Sequence, residues 1–377
     1  MPSCKSIYEP QEDSTMLERC VRQYAKGKVL DIGTGSGIQA IAAAQKNNVI
    51  SVLAADVQKG VIDYCRKCIK NPKIKFSQSD LFKSIKGKFD TIIFNPPYLP
   101  QELKLKDLTI EGGRKGYEII EKLINEVNEF LSQDGIILMV FSSLTKKEKV
   151  EGFIKNNLLD FEEIGKQHIF FEDIYVYLLK KNEFLKKLEN KGISNVKYLT
   201  KGHRGLLFKG IYKNKKIAIK IKNPESKAIG RIENEAKWLK KLNKYKIGPK
   251  LLMVDKDYFV YGYIDGDFII EFIKKSNKNQ IKKIIKNIFN QLFIMDNLKI
   301  DKEEMHHPLK HIIISKNKPY LIDFERMHYA QKPKNITQFC QFLINGKLIN
   351  KHKIIQLAKI YKNHPNKSNF NKIVTAI

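Results

Sequence analysis

The tetrapeptide Asn95-Pro96-Pro97-Tyr98 contains the residue types that are needed to hold a planar NH2 group. The amide oxygen of Asn95 and the carbonyl oxygen of Pro96, freed by a rigid Pro-Pro turn, are two acceptors that can converge on one amine. Tyr98 supplies a flat aromatic face for stacking. The sequence therefore predicts methyl transfer to an amide or aromatic amine. The catalytic residues would be Asn95, Pro96, Pro97 and Tyr98, with proximity supplying most of the acceleration.

A glycine-rich turn, residues 31–37 (DIGTGSG), ends the first predicted strand and opens a helix. A dinucleotide site is the rival interpretation, but its fingerprint is G-x-G-x-x-G, whereas the spacing here is G-x-G-x-G. The acidic residue just ahead of the glycines suits an amino-acid ammonium. Asp56 and Asp80 follow the next two strands, where they can bind ribose hydroxyls and an adenine amine. These features predict an S-adenosylmethionine pocket formed by Asp31, Gly33, Gly35, Gly37, Asp56, Asp80 and Asn95.

The first half of the chain alternates strand-like and helix-like segments, which is the order of a parallel, doubly wound sheet. The last two strands are close enough to pair as an antiparallel hairpin at the sheet edge. We therefore predict an α/β, Rossmann-like domain with a mostly parallel sheet. Its seven strands are expected over residues 28–32, 51–57, 74–76, 89–94, 135–141, 161–170 and 174–179.

Together these motifs resemble the HemK-type protein methyltransferases over about residues 5–180. The similarity lies in residues 8–15 (YEPQEDST), the glycine-rich turn, Asp56, residues 80–82 (DLF), the NPPY tetrapeptide and residues 111–116 (EGGRKG). The resemblance implies a class I methyltransferase fold, adds Thr15 and Leu81 to the donor site, and implies that residues 12–15 fold over the donor. The implied substrate is the glutamine of the Gly-Gly-Gln motif of a peptide chain release factor. The short archaeal and eukaryotic branch further implies a small zinc-binding activator subunit as partner.

Nucleic-acid methylation is the alternative function, because adenine and cytosine amines are held by the same tetrapeptide. An enzyme that acts on a base usually needs a separate base-reading domain and flips its target out of the stack. Only the second half of this chain could serve as that RNA- or DNA-binding module.

The net charge of +29 is concentrated in the second half of the 377-residue chain. Residues 1–181 contain 27 Lys and Arg against 24 Asp and Glu, whereas residues 182–377 contain the remaining 42 and 16. Length and the end of strand patterning near Lys180 predict two domains, 1–181 and 182–377. The basic half would attract polyanions, so contact with RNA or the ribosome is one interpretation. A compositional bias toward Lys, Ile and Asn, from genome composition or heat adaptation, is the other.

Residues 190–330 resemble the atypical RIO-type kinases. A glycine-containing loop within residues 196–222, interpreted as two strands, precedes Lys220, Glu235 and Asp323 in the order of a kinase core. In such a core Lys220 holds nucleotide phosphates, Glu235 pairs with Lys220, and Asp323 binds magnesium. The resemblance implies an α+β, two-lobed kinase-like domain. The residue pattern separately predicts mostly helix after residue 269. Its ATP site would comprise Gly202, Gly205, Lys220 and Glu235, with Asp323 as the Mg ligand.

The expected catalytic loop departs from the kinase pattern. Aligning residues 306–310 with H-R-D-L-K places Pro308 at the catalytic aspartate and Ile313 at the metal-binding asparagine. Neither side chain can accept a proton or bind a metal. Substitution by His306, His307 or Glu325 is one possibility, and a degenerate kinase that binds nucleotide or nothing is the other.

The five cysteines are too scattered for a disulfide framework, and no secretory segment follows Met1, so a cytoplasmic protein is predicted. Cys65 and Cys68 form a C-x-x-C without further ligands, so we expect packed apolar side chains rather than a metal site. No apolar run approaches the length of a membrane span.

Overall fold

The computed structural model describes residues 9–98, 115–169, 171–201, 205–222 and 231–377. The chain divides into two compact units. The first comprises Met1–Tyr198 with Gly210–Lys213, and the second comprises Leu199–Lys209 with Asn214–Ile377. The division at Tyr198 lies after the predicted boundary because the helix that follows residue 182 buries Leu185 and Leu188 within the first unit.

A seven-stranded sheet organises the first unit. Its strands are β1 (Gly27–Ile32), β2 (Val49–Asp56), β3 (Ile74–Gln78), β4 (Phe89–Phe94), β5 (Leu131–Ser142), β6 (Leu159–Ile169) and β7 (Glu172–Lys181). They lie in the order β3-β2-β1-β4-β5-β7-β6. The first five strands pair in parallel, and β7 pairs antiparallel with β5 and β6. The predicted seven-stranded, mostly parallel sheet with an edge hairpin is confirmed.

Helices cover both faces of this sheet. They are α1 (Glu12–Tyr24), α2 (Ile38–Ala44), α3 (Lys59–Cys68), α4 (Glu118–Glu126), α5 (Lys147–Asn156) and α6 (Glu183–Asn190), with 3-10 turns at Val127–Glu129 and Ser143–Thr145. Successive residues of the central strands enter different cores: Leu30 and Ile92 pack in one, Val29 and Ile93 in the other. This alternation is expected of strands that are buried on both faces.

The parallel strands bring the predicted site motifs to one edge of the sheet. At its carboxyl end, Ile32 of β1 pairs with Ala55 of β2 and with Phe94 of β4. The strand order reverses between β1 and β4, and ligands bind at such switch points in open α/β sheets. The glycine-rich turn after β1 and Asn95 after β4 are therefore neighbours.

The second unit contains mixed elements. Its strands are β8 (Ile193–Lys201), β9 (Gly205–Tyr212), β10 (Lys215–Lys222), β11 (Leu251–Val254), β12 (Tyr258–Gly262), β13 (Asp267–Phe268), β14 (Ile300–Asp301), β15 (Ile312–Ser315), β16 (Lys318–Leu321) and β17 (His328–Tyr329), where β8 and β9 include residues of both units. The sheet orders are β11-β12-β10-β9-β8, β13-β15-β16 and β14-β17.

Helices supply most of the core of the second unit. They are α7 (Arg231–Asn243), α8 (Ile269–Lys275), α9 (Lys278–Asn297), α10 (Asn335–Asn345), α11 (Lys351–Asn363) and α12 (Lys367–Thr375). Trp238 of α7, Phe289 of α9 and Phe339 of α10 are buried in one apolar cluster. Within the described ranges, no helix has both the length and the apolar character needed to span a bilayer.

The prediction for residues 196–222 was wrong. Residues 196–222 form three strands rather than two, because Lys213 and Asn214 both adopt positive φ, 48° and 59°, and make a tight turn between β9 and β10. Such turns are normally signalled by Asn-Gly, which is absent here. The region after residue 269 is mostly helical, as predicted, and only the short strands β14 to β17 interrupt its helices; these strands have two to four residues each, too few to show strand periodicity.

Candidate active site

A cavity of about 410 Å³ lies at the carboxyl edge of the first unit's sheet, within the size range of small-molecule sites. The structure brings most of the predicted residues to its wall: Gly33, Gly35, Asp56, Asp80, Leu81, Asn95, Pro96, Pro97 and Tyr98. Three predicted donor residues are not among the described residues that line the cavity. They are Thr15, Asp31 and Gly37.

Asp31 is buried beside the glycine-rich turn and stabilises it. Its side chain is 1% exposed and accepts a hydrogen bond of 2.6 Å from the Thr34 hydroxyl. Burial raises the pKa of Asp31 to about 7, although the Thr34 hydrogen bond opposes that shift. A carboxyl group in this position orients the glycine-rich turn. The structure does not bring it to the cavity wall, where contact with a donor ammonium was predicted.

Gly37 and Thr15 also have local structural roles. Gly37 precedes α2 with φ of 84°, and a Cβ at this position would lie 2.4 Å from Cδ1 of Ile69. Glycine is thus required by backbone conformation and by close packing against the chain after α3. The Thr15 hydroxyl donates to the carbonyl oxygen of Gln11 at 3.1 Å, which stabilises the start of α1.

Asp56 is held at the cavity wall by backbone donors. Its Oδ2 accepts from Gly35 N at 3.2 Å and its Oδ1 from Gln58 N at 2.9 Å. Burial raises the pKa of Asp56, while the two backbone hydrogen bonds lower it. A carboxylate has about four acceptor positions, so this arrangement leaves capacity for the two hydroxyls of a ribose.

Asp80 is more exposed and lies among lysines. Lys83 Nζ is 2.6 Å from its Oδ2, and Lys122 Nζ is 3.4 Å from its Oδ1. The hydrogen bond from Lys83 lowers the pKa of Asp80, so this carboxylate is ionised at neutral pH. An ionised acceptor at the cavity rim fits the predicted contact with an adenine amine.

Asn95 is oriented by the first turn of α1. Its Nδ2 donates to Asp13 Oδ2 and to Ser14 Oγ, both at 3.1 Å. The Tyr98 hydroxyl donates to the same oxygen of Asp13 at 3.3 Å. Because an amide has two N–H donors and one oxygen, both donors are engaged and Oδ1 is the atom left to accept from a ligand.

Several cavity residues were not predicted individually as site residues, namely Asp13, Ser14, Gln39, Lys122 and Glu172. Gln39 donates to the carbonyl oxygen of Ser14 at 2.8 Å, and its buried Oε1 has no hydrogen-bond partner among the described residues. Such an orphaned acceptor, beside Asp56 and the glycine turn, suits a ligand with N–H or O–H donors. Asp13 and Ser14 could have been found in the YEPQEDST motif, but Glu172 has no sequence signal.

The C-x-x-C pair lies in α3. Cys65 is buried, as expected, and its thiol donates to Gly35 O at 3.3 Å, so it supports the glycine turn. Cys68, the last residue of α3, is exposed, contrary to expectation.

A second cluster of predicted residues lies in the second unit. Lys220 Nζ is 2.5 Å from Glu235 Oε2 and 3.6 Å from Asp323 Oδ1. Burial lowers the pKa of Lys220, but the charges of Glu235 and Asp323 outweigh it and raise that pKa above its ordinary value. Gly205 lies against this lysine, since a Cβ there would be 3.4 Å from Lys220 Cε. Gly202 is outside the described residues.

Lys302, in the loop between β14 and β15, also belongs to this cluster but was not predicted from the sequence. Lys302 is buried, and its Nζ donates to the carbonyl oxygen of Asp323 at 2.5 Å. Pro308 is buried in the same loop, and Ile313 lies in β15 opposite Tyr320. The positions that would hold a catalytic acid and a metal-binding amide therefore carry apolar side chains within ordered structure.

Comparison with known proteins identifies relatives of the first unit. The methyltransferase small domain family model matches residues 7–171. The "Putative protein N5-glutamine methyltransferase" of Methanocaldococcus jannaschii is 32% identical over 177 residues, 45% of this chain and 89% of that protein. The eRF1 methyltransferase catalytic subunit mtq2 of Schizosaccharomyces pombe is 28% identical over 211 residues, which cover 45% of this chain and 90% of that protein. The solved Mtq2-Trm112 complex of E. cuniculi, described as methylating the eRF1 translation termination factor, has a TM-score of 0.39 and 22% identity, covering 47% of this chain and 99% of that one.

Proposed function

This chain belongs to the family of the protein N5-glutamine methyltransferases and is an S-adenosylmethionine-dependent N-methyltransferase, and we propose that it methylates a release-factor glutamine. The target would be the Gln of a Gly-Gly-Gln motif. The orientation of the Asn95 amide carries this proposal. Nδ2 of Asn95 donates to Asp13 and Ser14, so Oδ1 is the atom that can accept from a ligand in the cavity. An acceptor at this position favours a substrate that presents an NH2 group.

The residues of the NPPY tetrapeptide position the substrate nitrogen. Asn95 Oδ1 and the carbonyl oxygen of Pro96 accept the two N–H groups of the amide, which directs the nitrogen lone pair toward the donor. The flat face of Tyr98 packs on the amide plane, while its hydroxyl is held by Asp13. When bound, S-adenosylmethionine supplies an electrophilic methyl group. Orientation lowers the barrier, and the proton released from nitrogen passes to water.

The donor is proposed to lie along the edge formed by β1 and β2. Gly33 and Gly35, with φ of 70° and 52°, let the backbone approach the ligand closely. Asp56 would bind the ribose, Asp80 and the neighbouring Leu81 the adenine, and Gln39 Oε1 a donor N–H. Asp31 would contribute to donor binding indirectly, because it holds the glycine-rich turn in position.

The choice of a release factor is supported by the yeast relative, which is named an eRF1 methyltransferase. The test is transfer of a tritiated methyl group to a release factor, with the Gln of its Gly-Gly-Gln motif changed to Glu as a matched control. Label on the wild-type factor alone is expected. Label on DNA or RNA, with an unlabelled release factor, would replace this proposal with nucleic-acid methylation.

Two partners follow from the same proposal. The yeast relative is named a catalytic subunit, which supports a further subunit here. We propose that this subunit is the small zinc-binding activator that the family resemblance implies. The labelling assay is therefore run with and without that subunit. The basic residues 182–377 are proposed to contact RNA or the ribosome, and a steep loss of RNA affinity with rising salt is expected.

We propose that the second unit is kinase-like and binds ATP. The supporting observation is the buried ion pair of Lys220 and Glu235 beside Asp323. This arrangement places an ammonium where it can contact phosphate oxygens, with a carboxylate that fixes its position. Because Pro308 and Ile313 are apolar, the proposal is restricted to binding and does not include phosphoryl transfer.

Calorimetric titration with ATP tests this second function. Lys220→Met should reduce affinity by about tenfold or more, since a charged hydrogen bond to phosphate is lost. Lys222→Met is the matched control, because Lys222 is exposed on the same strand. Absence of ATP binding by the wild-type chain would contradict the proposal.

A further inference from the structure

We infer that the second unit binds the polyphosphate of a nucleotide without a divalent cation, because the ammonium of Lys302 supplies the positive charge that a metal ion would otherwise bring to Asp323. This inference depends on the nucleotide binding proposed above. Magnesium is the cation that the kinase resemblance implies at Asp323.

Lys302 is unusual in being almost completely buried, with 3% exposure. Its backbone N–H donates to Asn335 Oδ1 at 2.8 Å, and its Nζ to the carbonyl oxygen of Asp323 at 2.5 Å. Burial lowers the pKa of Lys302 to about 8, against the opposing effect of nearby carboxylates led by Asp323 and Glu235. A buried ammonium persists only where anionic groups compensate for lost hydration, so this lysine belongs to the carboxylate cluster.

Asp323 is surrounded by basic groups. Its Oδ1 is 3.6 Å from Lys220 Nζ, its Oδ2 is 3.9 Å from His311 Nδ1, and its carbonyl oxygen accepts from Lys302. Burial would raise the pKa of Asp323, but Lys220, Lys302 and His311 lower it. Asp323 also has a positive φ of 61°, a conformation that the bond from Lys302 helps to hold.

A magnesium ion does not fit this arrangement. Glu235, Asp323 and Glu325 each offer an oxygen within 4.8 Å of the others, but the Lys220 ammonium is already within 3.6 Å of two of these three residues. Magnesium requires nearly ideal octahedral oxygen coordination at about 2.1 Å. Ile313 supplies no ligand where an asparagine was expected. Lys220 and Lys302 therefore take the place of the cation in balancing Asp323 and Glu235.

The test is calorimetric titration of the full chain with ATP, once in excess MgCl2 and once in EDTA. Wild-type affinity in EDTA should stay within about threefold of that in MgCl2, because Lys302 already provides the charge. Lys302→Met should weaken binding in EDTA by about tenfold or more. Lys302→Arg should behave like the wild type, and so should the control Lys318→Met, which removes an exposed lysine of β16.

Folding of each variant is checked by the fluorescence of Trp238, the chain's only tryptophan, which is buried in the second unit. If Lys302→Met does not fold, the comparison of wild-type ATP affinity in MgCl2 and in EDTA is sufficient to test the inference. A loss of about tenfold or more in wild-type affinity on adding EDTA overturns this inference but leaves nucleotide binding intact. Unchanged affinity of a folded Lys302→Met variant in EDTA also overturns it. No ATP binding in either buffer overturns both proposals.

Discussion

The side-chain amide of Asn95 donates to the carboxylate of Asp13, with 3.1 Å between Nδ2 and Oδ2. The two residues are 82 positions apart, one following β4 and the other in the first turn of α1. This hydrogen bond decides that the cavity meets the oxygen of the amide rather than its NH2 group. The chemical selectivity of the tetrapeptide therefore depends on a residue far outside it.

Asp13→Asn should lower kcat by about 10- to 100-fold, because an NH2 group would face Nδ2 of Asn95 and favour the reversed amide. The KM for S-adenosylmethionine should change little. A second substitution, Asn95→Asp, should restore part of kcat, since a carboxylate accepts both from the amide introduced at position 13 and from the substrate. Steady-state kinetics with each substrate separates these effects. Equal losses in the single and double variants would contradict the proposal that Asp13 orients the Asn95 amide.

Asp56→Asn should weaken S-adenosylmethionine binding by about tenfold or more, because a charged acceptor for hydroxyl groups is lost. Isothermal titration with the donor measures this directly. The matched control is Asp63→Asn, since Asp63 is an exposed carboxylate of α3 that pairs with Lys59. Equal donor affinity in the two variants would refute the assignment of Asp56.

Gly37→Ala should destabilise the first unit by about 1–3 kcal/mol, because alanine disfavours φ of 84° and its Cβ would overlap Ile69. Adding Ile69→Val removes Cδ1 and should recover only the part due to overlap. Calorimetric melting of both variants gives the measurement. A Gly37→Ala variant with an unchanged melting temperature but weaker donor binding would show that Gly37 contacts the donor, as the sequence predicted.

The second unit should lose stability as pH rises. Asp296 is 5% exposed and accepts from Asn335 Nδ2 at 2.8 Å and from the Tyr361 hydroxyl at 3.0 Å. Burial raises the pKa of Asp296 to about 7. The folded state then holds this proton between about pH 4 and 7 while the unfolded state releases it, so stability falls by up to about 1.4 kcal/mol per pH unit in that window.

Urea unfolding at pH 5 and pH 7, monitored by Trp238 fluorescence, measures this dependence. Asp296→Asn should reduce the difference between the two pH values, because the amide does not titrate and the Tyr361 hydroxyl can accept from it. Asp257→Asn, at an exposed aspartate of the same unit, should leave the difference unchanged. The same pH dependence in the wild type and Asp296→Asn would rule out this residue as its source.

Local sequence was sufficient for the parts of the site that follow strand ends. Alternating strands and helices predict a parallel sheet, and a parallel sheet brings its carboxyl ends to one edge. Asp56 and Asn95 lie at the cavity as predicted because Asp56 ends β2 and Asn95 directly follows β4. The different roles of the three glycines could be distinguished only from the tertiary structure, since Gly33 and Gly35 line the cavity whereas Gly37 packs against Ile69.

The amino-acid sequence by itself determined the sheet, the edge at which the cavity lies and the tetrapeptide that is proposed to hold an amine. Only the tertiary structure decided that Asp13 orients Asn95, that Asp31 is buried beneath the turn, and that Lys302 lies against Asp323. The physical reason is the range of the interactions. Periodicity and turn chemistry act over a few residues, whereas these contacts arise when helices and loops distant in sequence pack together and bury their polar groups.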